Sequence, residues 1–411
     1  MQTARRLLLL FFTVACLASL NLSEAKKPDN PGGGGGDGGG GASLSFTPLE
    51  LTVPEAISTT EGPIPQDISD INHAVGYIQD DQNVSHALYW TIDENGVSSY
   101  DLGPDLTAAS VNERDEIVGT GRSGVTGENV PILWTDPFSN PIELPLPSGH
   151  YRAGTTAVND GGFVVGWSSE LIETTDENGD PVTRQVTHAV TWRFLWIDGT
   201  LENSSPLLLG GLEVNESHWA DGVSAAETLS EDVDTVKIVG TAYNSIDAQA
   251  VIWEAVSSFD DQGELQLDLV AGPTELGTLP GDNGSHGDTI NRFGDVAGTP
   301  GYRKLYGQPL EELLPPSSIN EPGLSYIDDI NDLVEVVGVH YHGYGYSTPV
   351  LWLTDGSAFD LDKNTGGTDW ASFHNPTAIN NHQWIVGYGS KYEGKGKNRT
   401  TVGGAFLLKP E

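Results

Sequence analysis

The chain has 411 residues, of which 58 are acidic and 19 basic, giving a formal net charge of −39 with histidine neutral. A charge this negative repels nucleic acid and anionic membrane surfaces, so neither is expected as a partner. The single cysteine and single methionine, Cys16 and Met1, both stand near the N-terminus, which excludes disulfides, thiolate metal centres, cysteine nucleophiles and iron–sulfur chemistry from the remainder.

In chain order, Arg5 and Arg6 precede an apolar run from Leu7 to Leu20, and Ser23-Glu24-Ala25 offers a small-residue cleavage site. That is the pattern of a secretory signal peptide over residues 1–25. A second reading makes Cys16 a lipid-attachment site, since Val14-Ala15-Cys16 loosely resembles a bacterial lipobox, although Thr13 stands where Leu would be expected. Either reading places the protein outside the cytoplasm, in the extracellular space or on the surface of a bacterium. Removing residues 1–25 leaves 17 basic and 57 acidic residues, a net charge of −40. Such acidity suits solubility in salty water, and it also suits binding of divalent cations. Residues 26–43 follow, dominated by a glycine tract from Gly32 to Gly41 that is interrupted only by Asp37. A segment of this composition cannot pack a core and reads as a flexible leash.

From about residue 67 onward one phrase recurs. It appears as Ile71-Asn72 with Val75-Gly76-Tyr77, Val111-Asn112 with Ile117-Val118-Gly119, and Val158-Asn159 with Val164-Val165-Gly166. It returns as Ile290-Asn291 with Val296-Ala297-Gly298, Ile330-Asn331 with Val336-Val337-Gly338, and Ile379-Asn380 with Ile385-Val386-Gly387. A degenerate copy, Gly222-Val223-Ser224 with Ile238-Val239-Gly240, brings the count to seven. Each copy is read as an antiparallel hairpin, with Asn accepting a left-handed turn conformation and the later Gly supplying either a positive φ or room for close backbone approach.

A second phrase ends in tryptophan, as in His86-Ala87-Leu88-Tyr89-Trp90, Ile132-Leu133-Trp134, His188-Ala189-Val190-Thr191-Trp192, Val251-Ile252-Trp253 and Val350-Leu351-Trp352. The fifth unit has only Lys304-Leu305-Tyr306 there, and the seventh ends in Phe406-Leu407-Leu408. A weaker closing phrase follows in most units, for example Tyr100-Asp101-Leu102-Gly103 and Phe359-Asp360-Leu361. These runs are short, rich in Val, Ile, Leu and Trp, and bounded by Gly, Asn, Asp and Pro, so they predict strands. A small sheet cannot bury its own tryptophan, which predicts that neighbouring sheets stack face to face.

Three or four strands per unit, repeated roughly every 40–65 residues, predict an all-β, seven-bladed β-propeller over residues 44–411, a single domain. A parallel β-helix is the rival architecture, although its coils are shorter. The last unit lacks a closing strand, while Leu49-Glu50-Leu51 matches the closing phrase. The N-terminal strand is therefore predicted to complete the seventh blade and remove a free sheet edge.

The phrases Ile71-Asn72, Val75-Gly76-Tyr77, His86-Ala87-Leu88-Tyr89-Trp90 and Asp101-Leu102-Gly103 resemble the bacterial extracellular repeat family named for its His-Ala-Phe tripeptide, the HAF repeat. The likeness spans residues 67–408 and is weakest in the fourth and fifth units, where an insertion at Leu229 to Val236 and the missing tryptophan leave the blade boundaries open. It implies an exported protein built from repeats, with no activity attached to any residue.

Candidate site residues are few. Asp176, Asn178 and Asp180 space oxygen ligands like the start of a calcium loop, but no bidentate Glu follows and such clusters are common in turns. His340 and His342 would share one face of a strand, with Tyr341, Tyr344 and Tyr346 beside them. Read functionally, that cluster is a zinc site lacking its remaining ligands or an aromatic ligand-binding surface; read plainly, it is a Gly/Tyr loop. Ser285, His286 and Asp288 are too close in sequence for a working triad, and Glu311 and Glu312 would face opposite ways on a strand. No catalytic residue and no cofactor are assigned, Ca2+ alone being left open. The expected function is a secreted or surface-tethered binding module, monomeric, without a membrane span, whose partner is a glycan or an extracellular protein. The alternative is a polysaccharide-active hydrolase or lyase at the central tunnel mouth, which predicts tunnel carboxylates with raised pKa values.

Overall fold

The computed structural model describes residues 44–411, except 177, 214–215, 231, 245, 320–322, 343–345, 366–368 and 395–398. The expected signal peptide, Cys16 and the glycine tract lie outside the described residues.

Among the described residues thirty strands form seven antiparallel sheets arranged as a β-propeller. The chain enters on β1 (Phe46–Leu51). Blade one holds β2 (Ile64–Ile68), β3 (His73–Gln79), β4 (Ser85–Asp93) and β5 (Gly96–Pro104), and blade two β6 (Leu106–Val111), β7 (Ile117–Arg122), β8 (Asn129–Trp134) and β9 (Ile142–Glu143). Blade three holds β10 (Arg152–Val158), β11 (Phe163–Thr175) and β12 (Pro181–Ile197), flanked by β13 (Thr200–Asn203) and β14 (Leu207–Leu208). Blade four comprises β15 (His218–Val223), β16 (Glu227–Ser230), β17 (Val233–Tyr243), β18 (Ala248–Phe259) and β19 (Leu265–Glu275). Blade five is small, with β20 (Thr289–Ile290), β21 (Val296–Gly298), β22 (Tyr302–Lys304) and β23 (Glu311–Glu312). Blade six follows as β24 (Gly323–Ile330), β25 (Val336–His342), β26 (Tyr346–Trp352) and β27 (Ala358–Asp360). Blade seven pairs β28 (Trp370–Ile379), β29 (Ile385–Glu393) and β30 (Thr400–Pro410) with β1.

The N-terminal strand closes the ring as predicted, with Leu49 opposite Leu407 and Phe46 opposite Pro410. The first strands of successive blades, β2, β6, β10, β15, β20, β24 and β28, touch one another in a closed circle around the axis. The core lies between blades, not within them, as seven apolar clusters, one for each pair of neighbours. Each tryptophan of the second phrase is fully buried in one of these clusters. In four of the five the indole N–H donates across the seam to a carbonyl just past the outermost strand of the preceding blade: Trp90 to Thr52 at 2.7 Å, Trp192 to Pro145 at 2.8 Å, Trp253 to Gly210 at 2.8 Å and Trp352 to Leu314 at 2.7 Å. The residue supplies both the apolar area and the one polar bond that the seam requires.

Two readings of the repeat are corrected. Outside blade one the repeated asparagines are not the left-handed residues; that conformation falls three positions later, at Asp115, Gly162, Gly294, Val334 and Gln383. The asparagines are buried. Asn331 Oδ1 accepts the N–H of Leu333 at 3.0 Å and of Glu335 at 2.9 Å, closing the turn, while its Nδ2 donates to the Asn380 carbonyl of the next blade at 3.1 Å. Asn112 reaches Asn159 at 3.0 Å, Asn159 reaches Ser224 at 2.6 Å, Asn291 reaches Asn331 at 3.2 Å and Asn380 reaches Ser69 at 3.0 Å. In blade one the pairing of Ile68 with Ala74 makes Ser69, and not Asn72, the equivalent of these asparagines; Asn72, at φ 63°, is the left-handed residue.

The phrase glycines serve close approach. A Cβ on Gly119 would stand 1.9 Å from the Thr107 carbonyl oxygen, and one on Gly338 would stand 2.2 Å from that of Tyr326. The partner strand bulges there, between Ala108 and Ser110 and between Ile327 and Asp329, and presses its backbone onto the glycine.

Blade five is where the tryptophan is replaced. Lys304 occupies its register position opposite Val296, and the neighbouring Arg303 is buried instead. Arg303 donates to the carbonyls of Leu353 at 2.8 Å and Thr354 at 2.9 Å in blade six, and forks onto Glu311 at 2.8 and 3.0 Å. Glu311 and Glu312 are thus the fourth strand that the sequence concealed. The insertion in blade four is the β16–β17 pairing, which extends that sheet along β17 past the end of β15.

Candidate functional site

The bulge on each first strand places one extra residue at the ring axis. It is Gln66, Ala109, Thr156, Asp221, Asp328 and Thr377 in blades one, two, three, four, six and seven. In blade five Asp288 takes the same place, directly before Thr289, the partner of Ala297. Blades four, five and six therefore turn three consecutive carboxyls toward the axis. Asp67 and Asp329, one residue further along their strands, join them. All five are enclosed by protein yet retain some access to solvent, as a tunnel wall does.

The five divide by their hydrogen bonds. Asp67 Oδ2 accepts Ser110 Oγ–H at 2.7 Å and the Val111 N–H at 2.9 Å, and its Oδ1 accepts the Ile68 N–H at 2.8 Å. Asp329 likewise accepts the Ile379 N–H at 2.9 Å, the Ile330 N–H at 2.8 Å and Thr289 Oγ1–H at 3.0 Å. These two are ties between blades. Asp288 Oδ2 is held by Thr299 through N–H at 2.8 Å and Oγ1–H at 2.6 Å. Asp328 Oδ1 accepts Asn375 Nδ2–H at 3.2 Å, and Asp221 accepts the Trp219 indole N–H. Asp221 Oδ2 and Asp328 Oδ2 are shielded and have no hydrogen-bond partner among the described residues.

Burial is the main cause that raises all five pKa values. Mutual repulsion adds to it: Asp288 acts on Asp221, Asp288 and Asp329 act on Asp328, and Asp67 acts on Asp329. Asp329 is pushed up to about 7 despite its three bonds, and Asp221 and Asp328 stand well above the ordinary carboxylate range. All five are thus pushed toward the protonated form, and the hydrogen bonds to Asp67, Asp288 and Asp329 oppose that push more than those to Asp221 and Asp328.

The other end of the blades, where second and third strands turn, carries histidines. His188 on β12 lies between His150, in the loop before β10, and His218 on β15, each ring centroid 5.2 Å from its own. His188 Nε2 is 2.9 Å from Glu170 Oε1 on β11. His218 Nδ1 accepts the Ala189 N–H at 3.0 Å, so its proton sits on Nε2; burial, then the charge of His188, lowers its pKa to about 4. The histidine of blade one's second phrase, His86, also faces a carboxylate, with Nδ1 3.0 Å from Asp101 on β5.

The residues singled out from sequence are placed as follows. Asp176, Asn178 and Asp180 cap the long β11–β12 hairpin, where Asp176 Oδ1 accepts the N–H of Asn178 at 2.8 Å and of Asp180 at 2.9 Å. His340 and His342 share one face of β25, with ring centroids 6.0 Å apart and nearly parallel. His340 is buried with Nδ1 3.0 Å from Ser325 Oγ, and His342 Nε2 is 3.0 Å from Thr348 Oγ1. Tyr341 packs edge-on to Tyr326 at 5.3 Å, and Tyr346 stacks on His342 at 6.4 Å. Both tyrosines are exposed, while Tyr344 lies outside the described residues. Ser285 is fully buried and donates to the Gly277 carbonyl at 2.8 Å, so it cannot serve as a nucleophile; of that trio only Asp288 belongs to the axis. Sequence reasoning missed Asp67, Asp221, Asp328 and Asp329, although alignment of the repeats marks the bulge column as the third residue before each turn Asn or Ser.

Fold and site together define a seven-bladed propeller with a carboxylate-lined axis. No known protein-family model matches the chain, and no curated protein does. Solved structures with related shapes include a gluconolactonase from Xanthomonas campestris, at 12% identity over 90% of this chain and 92% of that one, with a TM-score of 0.34. The endosialidase of phage phi92 aligns at 10% identity over 89% of this chain and 69% of that one, with a TM-score of 0.36. The catalytic domain of a GH62 α-L-arabinofuranosidase from Coprinopsis cinerea aligns at 10% identity over 90% and 97%, with a TM-score of 0.25. Likenesses this distant attach no function to the chain. Among the described residues no helix is long and apolar enough to cross a membrane.

Proposed function

We propose that this is an exported propeller of the HAF-repeat type that acts as a binding module, and that it takes the hydroxyl-rich end of a glycan at the carboxylates of blades four to six. The observation that carries the reading is the pair of oxygens, Asp221 Oδ2 and Asp328 Oδ2, shielded at the axis without a protein partner. A desolvated carboxyl oxygen left unbonded costs on the order of 1–3 kcal/mol, which a sugar hydroxyl recovers by donating to it. Glycan-array binding by the full chain should fall at least tenfold in the Asp221→Asn, Asp328→Asn double variant. Array signal that is absent from the parent, or equal in parent and variant, removes the reading.

A second reading, a polysaccharide-active hydrolase or lyase, is favoured by one specific observation. Burial pushes all three axial carboxyls toward the protonated form, Asp221 and Asp328 strongly, while at Asp288 two hydrogen bonds from Thr299 oppose that push. A neutral acid beside a carboxylate base is the pairing that glycosidic cleavage needs. Release of reducing ends from a polysaccharide, abolished by Asp288→Asn, would decide for catalysis over binding alone.

A further inference from the structure

We propose that His150, Glu170 and His188 form a divalent transition-metal site, zinc being the metal it fits best, at the end of blade three remote from the axial carboxylates. The three ligand-bearing atoms lie within 4.8 Å of one another. They come from three separate segments: the loop before β10, strand β11 and strand β12. The strand register explains the meeting. His188 pairs with Ser168, and Glu170 stands two residues further along β11, so both side chains fall on the same face as diagonal neighbours. The loop then folds His150 over them, its ring 5.2 Å from that of His188.

A second observation points to a ligand. His150 Nδ1 is sheltered from solvent and has no hydrogen-bond partner among the described residues. A sheltered imidazole nitrogen without a partner costs free energy, and in the tautomer that leaves its lone pair free it is suited to a cation. Two imidazoles and one carboxylate suit zinc and its neighbours in the first transition row, not Ca2+ or Mg2+, which prefer all-oxygen shells. Tetrahedral ligation at about 2.0–2.1 Å separates ligand atoms by about 3.3 Å. The 2.9 Å gap between His188 Nε2 and Glu170 Oε1 therefore needs to open only slightly, while His150 closes in. Three protein ligands leave the fourth position for water or an exogenous group. His218 completes the wall without ligating through Nδ1, because that nitrogen already accepts the Ala189 N–H at 3.0 Å.

The test is calorimetric titration of the chelator-stripped full chain with zinc chloride, in buffer containing millimolar Ca2+ to occupy the acidic surface. One equivalent should bind with a dissociation constant in the micromolar range or tighter. His150→Ala and Glu170→Gln should each weaken binding at least tenfold, with unchanged circular dichroism. Co2+ in place of zinc should give the visible absorption of a tetrahedral N/O site, lost in His150→Ala. Stoichiometric binding that survives both substitutions, or only weak multi-site binding, overturns the assignment. Since His188 supports packing against His218, the loop residue His150 is the deciding variant should His188→Ala fail to fold.

Discussion

At the scale of single residues, the repeat is kept by two demands that its letters do not reveal. The glycine after each Val-Val or Ile-Val pair is required because a bulge in the partner strand brings a carbonyl to within 1.9–2.2 Å of where a Cβ would stand. Gly119→Ala should therefore cost about 3 kcal/mol or more in urea unfolding. The asparagine is required for two carbonyl-like acceptor bonds and one donor bond to the next blade. Asn331→Ala should cost about 2–4 kcal/mol, and Asn331→Asp should recover only the part due to the turn, since the carboxylate cannot donate to Asn380. The sequence made the asparagine visible as a repeated letter but assigned it the wrong office, because turn chemistry at one residue and at the residue three positions on leaves the same local signature.

The axial carboxyls make a residue-scale prediction in pH. Asp221 has a folded pKa above its unfolded value of about 3.9, so the protonated form is the stabilising one. Its contribution is complete below the unfolded pKa and is lost as pH rises through the folded value. Asp221→Asn should match the parent in thermal midpoint near pH 4 and exceed it progressively toward pH 8. For Asp329, raised to about 7, the corresponding loss falls between about pH 4 and pH 7. An Asp221→Asn midpoint that stays below the parent at pH 8 would contradict this account.

At the scale of elements, strand and hairpin were legible almost throughout, since short β-branched runs between Gly and Asn clusters admit little else. Blade five was the exception. Its strands have two or three residues, and Arg303 performs across the seam what tryptophan performs in its neighbours. An arginine beside a Gly-rich stretch carries no sequence signal of that duty. Trp352→Phe keeps most of the buried area and loses the bond to Leu314, so it should cost about 1–2 kcal/mol. Arg303→Met should cost more, because Leu353, Thr354 and Glu311 all lose a donor. The histidine cluster was likewise hidden: 150, 170 and 188 are spread over a loop and two long strands, and only the register between β11 and β12 brings the last two together.

At the scale of the molecule, ring closure was readable by counting, because one unit lacked a strand and Leu49-Glu50-Leu51 supplied one. The axial carboxylates were not readable in that way. With 58 acidic residues to choose from, Asp221, Asp288 and Asp328 stand out only when the seven units are superposed on their bulges. Closure also carries a prediction. A chain starting after Leu51 exposes the β30 edge and uncovers Phe46 and Leu51's places in two of the seam clusters. It should lose its single cooperative thermal transition and aggregate on heating, whereas a chain starting at residue 44 should melt like the full protein.

The seam between the two ends of the propeller has a mechanical consequence. Phe46, at the start of β1, faces Pro410, at the end of β30, and Glu411 bonds back to Ser45 at 2.7 Å and Thr47 at 2.9 Å. Tension applied across the two chain ends would therefore load this pair of ribbons as a zipper, rung after rung, and never in shear along its whole length. The circle would open at its clasp under modest pull while the other six sheets stayed folded, and a protein held by one end and dragged by the other would yield there first.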